Sequence, residues 1–396
     1  MKKPTTKLYA TTILAAALSA AFLPGTDAHA QTKILINPGD QGEQSRYSVY
    51  LSWKSAIEQA LRKEKLADMN ILLSTDAGAD LGATRSKIPD VFIAPAHVIG
   101  SAVRYGYTPV LGIDRPVQAV LVTSADGAVD SLKALKGKRL GLPLQDSLVT
   151  YLLRGELNAA NTTLKSHFAT LYETRYQDAL LLCLQVRRCD AVAVERSVFD
   201  RWAANGEKIK ILMETRTAPA LSVAIKNGTR PGVEALRAAL ATGPGVTQAG
   251  AALVPMAASD FDYVSTLGYF TPRSLPGATL LDAQGVKQLM EAGAVFVDTR
   301  TEVEFKAGHI PGAKLVPYVE KSAKDADFKA ADDQFDLAQL PNDRGTPLIF
   351  SCNGAECWKS FKASHAALKA GYTRVHWFRG GFPEWRSAGL KIDTMH

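Results

Sequence analysis

The sequence predicts an α/β protein made of two successive α/β regions. Buried-type strands alternate with helix-length segments from about residue 33 to 255 and again after residue 278, which is typical of mostly parallel sheets covered by helices. Between the two regions, residues 240–282 are rich in Gly, Pro, Ala and Ser, which indicates a boundary. The 396 residues are 46% apolar and 21% charged, and this composition excludes a disordered, collagenous or coiled-coil chain.

The first thirty residues have the pattern of a secretory signal peptide. Three lysines precede an apolar stretch, Ile13–Leu23, and Ala28-His29-Ala30 then offers small residues for cleavage. The apolar stretch is shorter than the roughly 20 residues that span a bilayer. The alternative is a buried or anchoring helix. We expect residues 1–30 to be removed, leaving a soluble periplasmic protein that starts at Gln31.

The charges and cysteines limit the partners that we expect. The formal net charge of +7 is spread without a Lys/Arg block, so nucleic acid is not expected as a partner. Cys183 and Cys189 flank a predicted helix end, where a structural disulfide competes with the alternative of two buried thiols. Because this pair lacks further ligands for zinc, we expect no metal site, and we expect no cofactor.

Strands and helices alternate along the first region. The predicted helices are 45–65, which carries Tyr50 and Trp53 on a core-facing stripe, and a second that begins at the polar turn before Leu148 and runs through Leu157. The predicted strands are Lys33–Pro38, Met69–Ser74, Asp90–Ala94, Val117–Thr123 and Arg139–Leu142.

Three strings in this region resemble periplasmic binding proteins of the phosphate/phosphonate type. They are PDVFIAPAHVIGSAVRYGYTPVLGI (Pro89–Ile113), SLKALKGKRLGLP (Ser131–Pro143) and YQDALLLCLQVRRCDAVAVE (Tyr176–Glu195). The resemblance implies two α/β lobes with a ligand cleft between them. We assign this domain to residues 31–254 and a linker, with one short helix near Asp260–Leu267, to residues 255–277.

The cleft residues are expected at strand–helix junctions. The candidates are Tyr47, Tyr50, His97 and Ser147. Related phosphonate-type proteins bind an anion at the turn that here contains Asp146, whose charge opposes an anion. The alternative role for Asp146 is the N-cap of the following helix. The solute is therefore unidentified, and phosphonate is not expected.

The second region has its own strands and motifs. Ala294–Arg300 and Thr346–Ser351 are buried-type strands, a helix follows from Lys359 to about Ala370, and Val375–Phe378 is the last strand. The polar stretch Glu320–Asp343 is expected to be a solvated surface insertion.

Three of its motifs, in order, resemble a rhodanese domain. They are DTRTEVEFKAGHIPGA (Asp298–Ala313), the strand–Cys–loop–helix at Leu348–Lys359, and RGGFPEWRSAG (Arg379–Gly389). We assign this rhodanese-like α/β domain to residues 278–393. The resemblance implies a structural role for Asp298, Arg300 and His309, and close backbone approach at Gly380-Gly381.

The position of Cys352 predicts a nucleophile. Backbone N–H groups and a helix N-terminus surround a Cys in such a loop, and both favour the thiolate. The expected reaction takes sulfur from a small donor such as thiosulfate, forms a Cys352 persulfide and passes the sulfur to a thiol or cyanide. The active-loop residues are Asn353, Gly354, Ala355, Glu356 and Trp358.

Two loop residues modify this prediction. Glu356 opposes an anionic donor, and Lys359 partly compensates for its charge. Cys357, the sixth residue counted from Cys352, is expected to act as a resolving thiol that attacks the persulfide; its alternative is simple packing.

The leading function is therefore an exported sulfurtransferase with a small-solute-binding domain. The alternative is a solute-binding or sensing protein whose rhodanese domain performs thiol redox chemistry or has little activity. The Cys-x4-Cys-Trp string at Cys352–Trp358 also resembles small rhodanese-like proteins associated with quinoprotein alcohol oxidation. That likeness leaves open an accessory role, with a redox partner, in a periplasmic oxidation system.

Overall fold

The computed structural model describes residues 31–64, 69–74, 76–229, 238 and 252–395. The predicted signal peptide, residues 1–30, lies outside the described residues. None of the described helices is long and apolar enough to cross a membrane.

The first lobe of the N-terminal domain starts at residue 32 with strand–helix units. Its initial elements are β1 (Thr32–Ile36), α1 (Glu43–Glu64), β2 (Met69–Leu73), α2 (Ala77–Ser86), β3 (Val91–Ala94), α3 (Ala96–Arg104) and β4 (Tyr107–Ile113). Trp53 on α1 is fully buried among strand residues such as Ile36 and Ile93. The helix has its core stripe where the sequence periodicity predicts it.

The chain then builds a second lobe. Its elements are β5 (Ala119–Ser124), β6 (Arg139–Pro143), α4 (Leu148–Ala159), α5 (Leu164–His167), β7 (Thr170–Thr174), α6 (Ala179–Gln185), β8 (Ala191–Glu195), α7 (Arg196–Ala204) and β9 (Ile209–Glu214). The sheet order is β7-β6-β8-β5-β9, with β5 antiparallel to β8 and β9. A 3₁₀ turn at Lys133–Leu135 precedes β6.

The chain returns to the first lobe through β10 (Ser222–Lys226) and β11 (Leu253–Pro255). The first sheet is ordered β11-β4-β10-β3-β1-β2, with β10 antiparallel to its neighbours β3 and β4. The two segments that cross between the lobes pair with each other at Val117 and Ala218. Two crossings joined in this way form the hinge region of a two-lobed domain.

The segment assigned as a linker packs against the first lobe. It contains a 3₁₀ turn, Ala258–Phe261, and α8 (Asp262–Thr266), and both contact α3. Phe261 and Val264 are buried there. Pro and Gly interrupt the periodicity of the segment, but its apolar side chains still fix its path.

The C-terminal domain is a parallel sheet flanked by helices. Its elements are β12 (Ala278–Leu280), α9 (Ala283–Glu291), β13 (Val295–Asp298), α10 (Glu302–Ala307), β14 (Lys314–Leu315), β15 (Leu348–Ser351), α11 (Trp358–Lys369), β16 (Val375–Phe378) and α12 (Gly381–Ser387). The strand order is β12-β16-β15-β13-β14. The catalytic candidate Cys352 follows the central strand β15, at its carboxyl end.

The stretch Glu320–Asp343 is mostly solvent-exposed, as predicted, but some of its polar groups are held against the domain. It contains 3₁₀ turns at Ala330–Asp332 and Leu337–Gln339. The fully buried Lys362 on α11 pairs with Glu320 at 2.7 Å and donates to Ser322 Oγ at 2.8 Å. These buried polar contacts hold the insertion against the domain, because an unpaired buried ammonium is costly.

The Cys183–Cys189 pair is a disulfide with a Cα–Cα distance of 5.3 Å. The turn after α6 brings the two residues together, since the Cys189 N–H donates to the Cys183 carbonyl at 3.0 Å. Of the two alternatives for this pair, the structure has the disulfide.

Candidate functional site

Cys352 lies in a tightly held loop between β15 and α11, and its side chain is 1% exposed. The Phe382 N–H donates to the Cys352 carbonyl at 2.9 Å. Gly381 has φ of 61°, and a Cβ there would lie 2.2 Å from the Cys352 carbonyl oxygen. Only glycine permits both this conformation and this approach. The expected close backbone approach therefore occurs at Gly381.

Cys352 and Cys357 form a disulfide, with a Cα–Cα distance of 6.1 Å. Cys357 occupies the N-cap position of α11, and no side chain caps that helix end. The partial positive charge of the helix N-terminus favours thiolate at both sulfurs once the bond is reduced.

Asp298 and Arg300 form a buried ion pair next to this loop. The buried Arg300 guanidinium donates to both Asp298 carboxylate oxygens, with Nη2–Oδ2 at 2.7 Å, and to the Gly308 carbonyl at 2.8 Å. Its centre lies 4.2 Å from the Phe382 ring. The backbone N–H of Phe382 donates to the Cys352 carbonyl, so this residue links the pair to the active loop. His309 stacks on Phe305 at 3.9 Å, which is a packing role.

The N-terminal domain covers the active loop. Asn353 Nδ2 donates to Glu304 Oε1 at 2.6 Å, and Ser86 Oγ on α2 donates to the same oxygen at 2.6 Å. The Thr271 N–H donates to the Ala355 carbonyl at 2.8 Å, and Trp358 Nε1 donates to the Tyr269 carbonyl at 2.7 Å. Asn353, Ala355 and Trp358 therefore anchor the loop to α2 and to the segment that precedes the C-terminal domain.

A cavity of about 220 Å³ lies between α2 and the disulfide. Its lining includes the cations Arg85, Lys324 and Lys359 and the carboxylates Glu304, Glu320 and Glu356. Burial alone would raise the pKa of Glu304, but hydrogen bonds from Ser86 and Thr301 dominate and hold it below its ordinary value. Glu304 is therefore an ionised structural acceptor.

Arg85 is the most buried cation that the N-terminal domain contributes to this cavity. Burial opposes its charge, but the Glu356 carboxylate of the active loop, together with Tyr105, Tyr151 and Asp146, outweighs burial, and the pKa of Arg85 is raised. Both Arg85 Nε and Glu356 Oε2 are buried without a hydrogen-bond partner among the described residues. Glycine at 354 accommodates the Tyr105 hydroxyl of the first lobe, which would lie 3.1 Å from an added Cβ.

A second cavity, of about 420 Å³, lies between the two lobes. His97 and Ser147 line it, as do Asp40, Glu173 and Glu195. Tyr47 and Tyr50 are not among its lining residues: Tyr47 is 57% exposed, and the Tyr50 hydroxyl donates to the Ile71 carbonyl. On α1, Tyr50 therefore lies against β2 and Tyr47 faces solvent, so neither side chain reaches the cleft.

Hydrogen bonds join the lobes across this cleft. Gln177 Nε2 donates to Asp40 Oδ1 at 2.7 Å, and Gln41 Nε2 donates to Glu195 Oε2 at 2.7 Å. His97 Nε2 donates to the Asp146 carbonyl at 2.8 Å. The lobes are therefore closed around the cavity.

The cleft is lined by acidic side chains and also by the cations Arg46, Arg175 and Lys321. Burial raises the pKa of Asp40, and it raises that of Glu195 to about 6. Burial also lowers the pKa of His97 to about 4, which keeps its ring neutral.

The alternative N-cap role of Asp146 is wrong, because Ser147 caps α4 by accepting from the Val149 N–H. The Asp146 carboxylate instead pairs with Lys324.

Sequence reasoning missed Arg85, Lys324 and Glu304. No local motif marks Arg85 or Lys324. Glu304 lies within the DTRTEVEFKAGHIPGA string, but that string gives no sign of its contact with the active loop. The charge of Glu356 was the one signal available, since a carboxylate in a buried loop requires a cation nearby.

Two family matches correspond to the two domains. Residues 54–263 match the family described as ABC transporter, phosphonate, periplasmic substrate-binding protein, and residues 282–388 match the rhodanese-like domain. The first match spans more than half of the chain.

Curated relatives each match about a quarter of this chain. The HTH-type transcriptional regulator Rv0324 of Mycobacterium tuberculosis is 38% identical over 104 residues, which are 26% of this chain and 39% of that protein. Thiosulfate sulfurtransferase 16, chloroplastic, of Arabidopsis thaliana is 34% identical over 108 residues, which are 26% of this chain and 82% of that protein.

A solved structure matches a larger share of this chain. PhnD1 from Prochlorococcus marinus in complex with methylphosphonate is 14% identical, with 60% of this chain and 96% of that chain covered and a TM-score of 0.49. On the family matches, the chain belongs to the phosphonate-type periplasmic substrate-binding proteins of ABC transporters and carries a C-terminal rhodanese-like domain.

Proposed function

We propose that this chain is an exported sulfurtransferase that carries sulfane sulfur as a persulfide on Cys352. The observation that carries the proposal is the placement of Cys352, directly after the central strand β15 and beside the uncapped N-terminus of α11. The match to rhodanese-like domains and the sequence similarity to a plant thiosulfate sulfurtransferase support the proposal.

The first step of the reaction moves one sulfur atom. The Cys352 thiolate attacks the outer sulfur of a donor such as thiosulfate, a Cys352 S–S bond forms, and the donor S–S bond breaks. Sulfite leaves with the electron pair. The cavity at Cys352 and the α11 N-terminus favour the anionic persulfide in the same way that they favour the thiolate.

The second step passes the sulfur on or releases it. Cyanide or a thiolate can attack the outer persulfide sulfur and regenerate the Cys352 thiolate. Alternatively, the Cys357 thiol attacks Cys352 Sγ, which forms the Cys352–Cys357 disulfide and releases hydrosulfide. Two electrons from an external dithiol must then restore the enzyme. The bond observed between these residues supports the resolving role of Cys357.

The same disulfide favours one alternative function. A buried pair of thiols at a helix N-terminus is also suited to thiol redox chemistry with a periplasmic partner. In that case the rhodanese-like domain exchanges electrons with an oxidation system, and the first domain binds or senses a solute.

The N-terminal domain is proposed to bind a small solute between its lobes, with His97 and Ser147 among the contacts. The domain boundaries proposed are 31–254 and 278–393, joined by 255–277, and residues 1–30 are proposed as an export signal. The match to a periplasmic family supports this location. The cavity is lined by the cations Arg46, Arg175 and Lys321 as well as by the carboxylates Asp40, Glu173 and Glu195.

Mass spectrometry and one substitution test the sulfurtransferase proposal. The reduced protein incubated with thiosulfate should gain one sulfur atom on Cys352, and it should convert cyanide to thiocyanate. Cys352→Ser should abolish both, because a serine hydroxyl is a poor sulfur nucleophile. Undiminished transfer by a folded Cys352→Ser protein would reject Cys352 as the nucleophile. Dithiol oxidation without sulfur transfer in the native protein would favour the redox alternative.

A further inference from the structure

Arg85 brings a buried positive charge from the N-terminal domain into the cavity of Cys352. The residue is 7% exposed, lies near the end of α2 and lines the same cavity as the Cys352–Cys357 disulfide. Its Nε has no hydrogen-bond partner among the described residues. A buried N–H donor that lacks a hydrogen-bond partner is costly, unless a ligand completes its hydrogen bond.

Most other charges of this cavity are engaged. Glu304 accepts from Ser86 and Asn353, and Glu320 pairs with Lys362 at 2.7 Å. Lys324 pairs with Asp146 at 2.7 Å. Arg85 faces the Glu356 carboxylate and Lys359 acts on the Glu304 carboxylate, so the charges balance. Arg85 Nε is nevertheless a buried cationic N–H without a hydrogen-bond partner among the described residues.

We propose that Arg85, with Lys359, forms an anion-binding site for the sulfur donor. The site would take a small oxyanion that bears a sulfane sulfur, such as thiosulfate, with its oxygens at the guanidinium and its outer sulfur toward Cys352. This inference rests on the proposed sulfur transfer, and it assigns donor recognition to a residue outside the rhodanese-like domain.

Charge and size both support this class of donor. Arg85 offsets the negative charge that Glu356 places in the active loop, and a guanidinium donates paired hydrogen bonds to oxyanions. The cavity of about 220 Å³ is smaller than the roughly 300–1,000 Å³ typical of pockets for drug-sized ligands. The same site would hold the departing sulfite, whose charge appears as the donor bond breaks.

The rate at which charged and neutral reagents alkylate Cys352 reports the positive charge of Arg85 in the cavity, and this measurement does not require catalytic turnover. Reduced full-length protein with Cys357→Ala is treated with iodoacetate, which is anionic, or iodoacetamide, which is neutral, and the Cys352 peptide is followed by mass spectrometry. Adding Arg85→Gln should lower the iodoacetate-to-iodoacetamide rate ratio by about tenfold or more. Arg85→Lys should restore most of the ratio, which also shows that the site tolerates substitution.

Lys165→Gln is the matched control. It removes the ion pair between Lys165 and Asp325, at 2.8 Å, which also joins the two domains, yet Lys165 does not line the cavity. The rate ratio should be unchanged in this variant. An unchanged ratio in folded Arg85→Gln, or an equal drop in Lys165→Gln, would overturn the proposal.

Steady-state kinetics then separate the two proposals. In protein with both loop cysteines, Arg85→Gln should raise KM for thiosulfate by about tenfold or more. If the alkylation ratio falls as expected but the native protein transfers no sulfur, the anion site stands and the sulfurtransferase proposal fails. If transfer occurs with an Arg85-independent KM and ratio, donor recognition by Arg85 is wrong.

Discussion

Lys324 Nζ lies 2.7 Å from Asp146 Oδ1 and 2.8 Å from Oδ2, although the two residues belong to different domains. Asp146 is at the cleft of the N-terminal domain, and Lys324 lines the cavity of Cys352. The Lys324 N–H also donates to Gln145 Oε1 at 3.2 Å. Lys324, in the Glu320–Asp343 insertion of the rhodanese-like domain, therefore neutralises the Asp146 carboxylate at the cleft, whose charge is expected to oppose an anionic ligand.

The first prediction concerns the strength of this pair. The two side chains are 10% and 14% exposed, so solvent screens their attraction weakly. Lys324→Gln or Asp146→Asn should each lower the free energy of unfolding by about 2 kcal/mol, as measured by urea denaturation. The double variant should lose less than the sum of the two, with a coupling of about 1 kcal/mol.

Lys329→Gln provides the control for this cycle. Lys329 pairs with Asp332 at 3.4 Å, but its side chain is 77% exposed, so its removal should change stability by less than about 0.5 kcal/mol. Additive losses in the double variant would show that Lys324 and Asp146 do not stabilise each other.

The second prediction concerns Cys357. Cys357→Ala removes the thiol that can attack the Cys352 persulfide, so the persulfide should persist longer after thiosulfate is withdrawn. Activity should also lose its dependence on an added dithiol. Time-resolved mass spectrometry of the Cys352 peptide measures the lifetime, and thiocyanate formation measures activity.

The Cys183–Cys189 disulfide offers a matched control. Replacing both of these residues by Ala should lower stability by about 2 kcal/mol, since the bond closes a short loop. It should leave the persulfide lifetime unchanged. If Cys357→Ala behaves in the same way, with an unaltered lifetime and reductant dependence, Cys357 serves only in packing.

The third prediction concerns Gly381. A Cβ there would lie 2.2 Å from the Cys352 carbonyl oxygen and 2.6 Å from the Gly354 nitrogen. Gly381→Ala should therefore displace the active loop, lower the free energy of unfolding by about 2 kcal/mol or more and reduce kcat for sulfur transfer at least tenfold.

Gly371→Ala separates displacement of the loop from backbone strain. Gly371 also has positive φ, 89°, but an added Cβ would meet nothing within 4 Å. It should cost about 1 kcal/mol and leave kcat unchanged. Equal kcat values for the two variants would mean that Gly381 does not position the loop.

The sequence predicts the parts of the site that are built from neighbouring residues. Cys352 follows a buried strand and precedes a helix, so both its position and its environment follow from local pattern. Arg85 and Glu356 are 271 positions apart, and their proximity depends on how two domains pack. No periodicity or motif in a single chain encodes that packing.

Where the structure differs from the sequence-based expectations, the cause is again a contact between residues that are distant in the chain. The composition of Glu320–Asp343 is typical of a surface segment, but the buried Lys362 pairs with Glu320 and donates to Ser322 of this segment. Tyr50 shares the helical spacing of a core stripe, and that spacing cannot distinguish the edge of β2 from the cleft. His97 lies at a strand–helix junction, where the carboxyl ends of parallel strands converge, and it does line the cleft.

The last prediction concerns the pH dependence that Asp80 on α2 confers. Its carboxyl group accepts from Asn37 at 2.5 Å and from Ser74 at 2.7 Å. Burial nevertheless raises its pKa from 3.8 to about 7. Since the folded protein holds this proton more tightly than the unfolded chain, the contribution is fully present below pH 4 and is lost as the pH rises through 7.

Asp80→Asn removes this titration and keeps a neutral side chain of the same shape. The stability of the native protein minus that of Asp80→Asn should therefore fall as the pH rises from 4 to 7, by at most about 1.4 kcal/mol per pH unit. Urea denaturation of both proteins across that interval measures the difference, in which groups common to both proteins cancel. A difference that stays constant, or that grows with pH, would show that Asp80 is already ionised in the folded protein near pH 4.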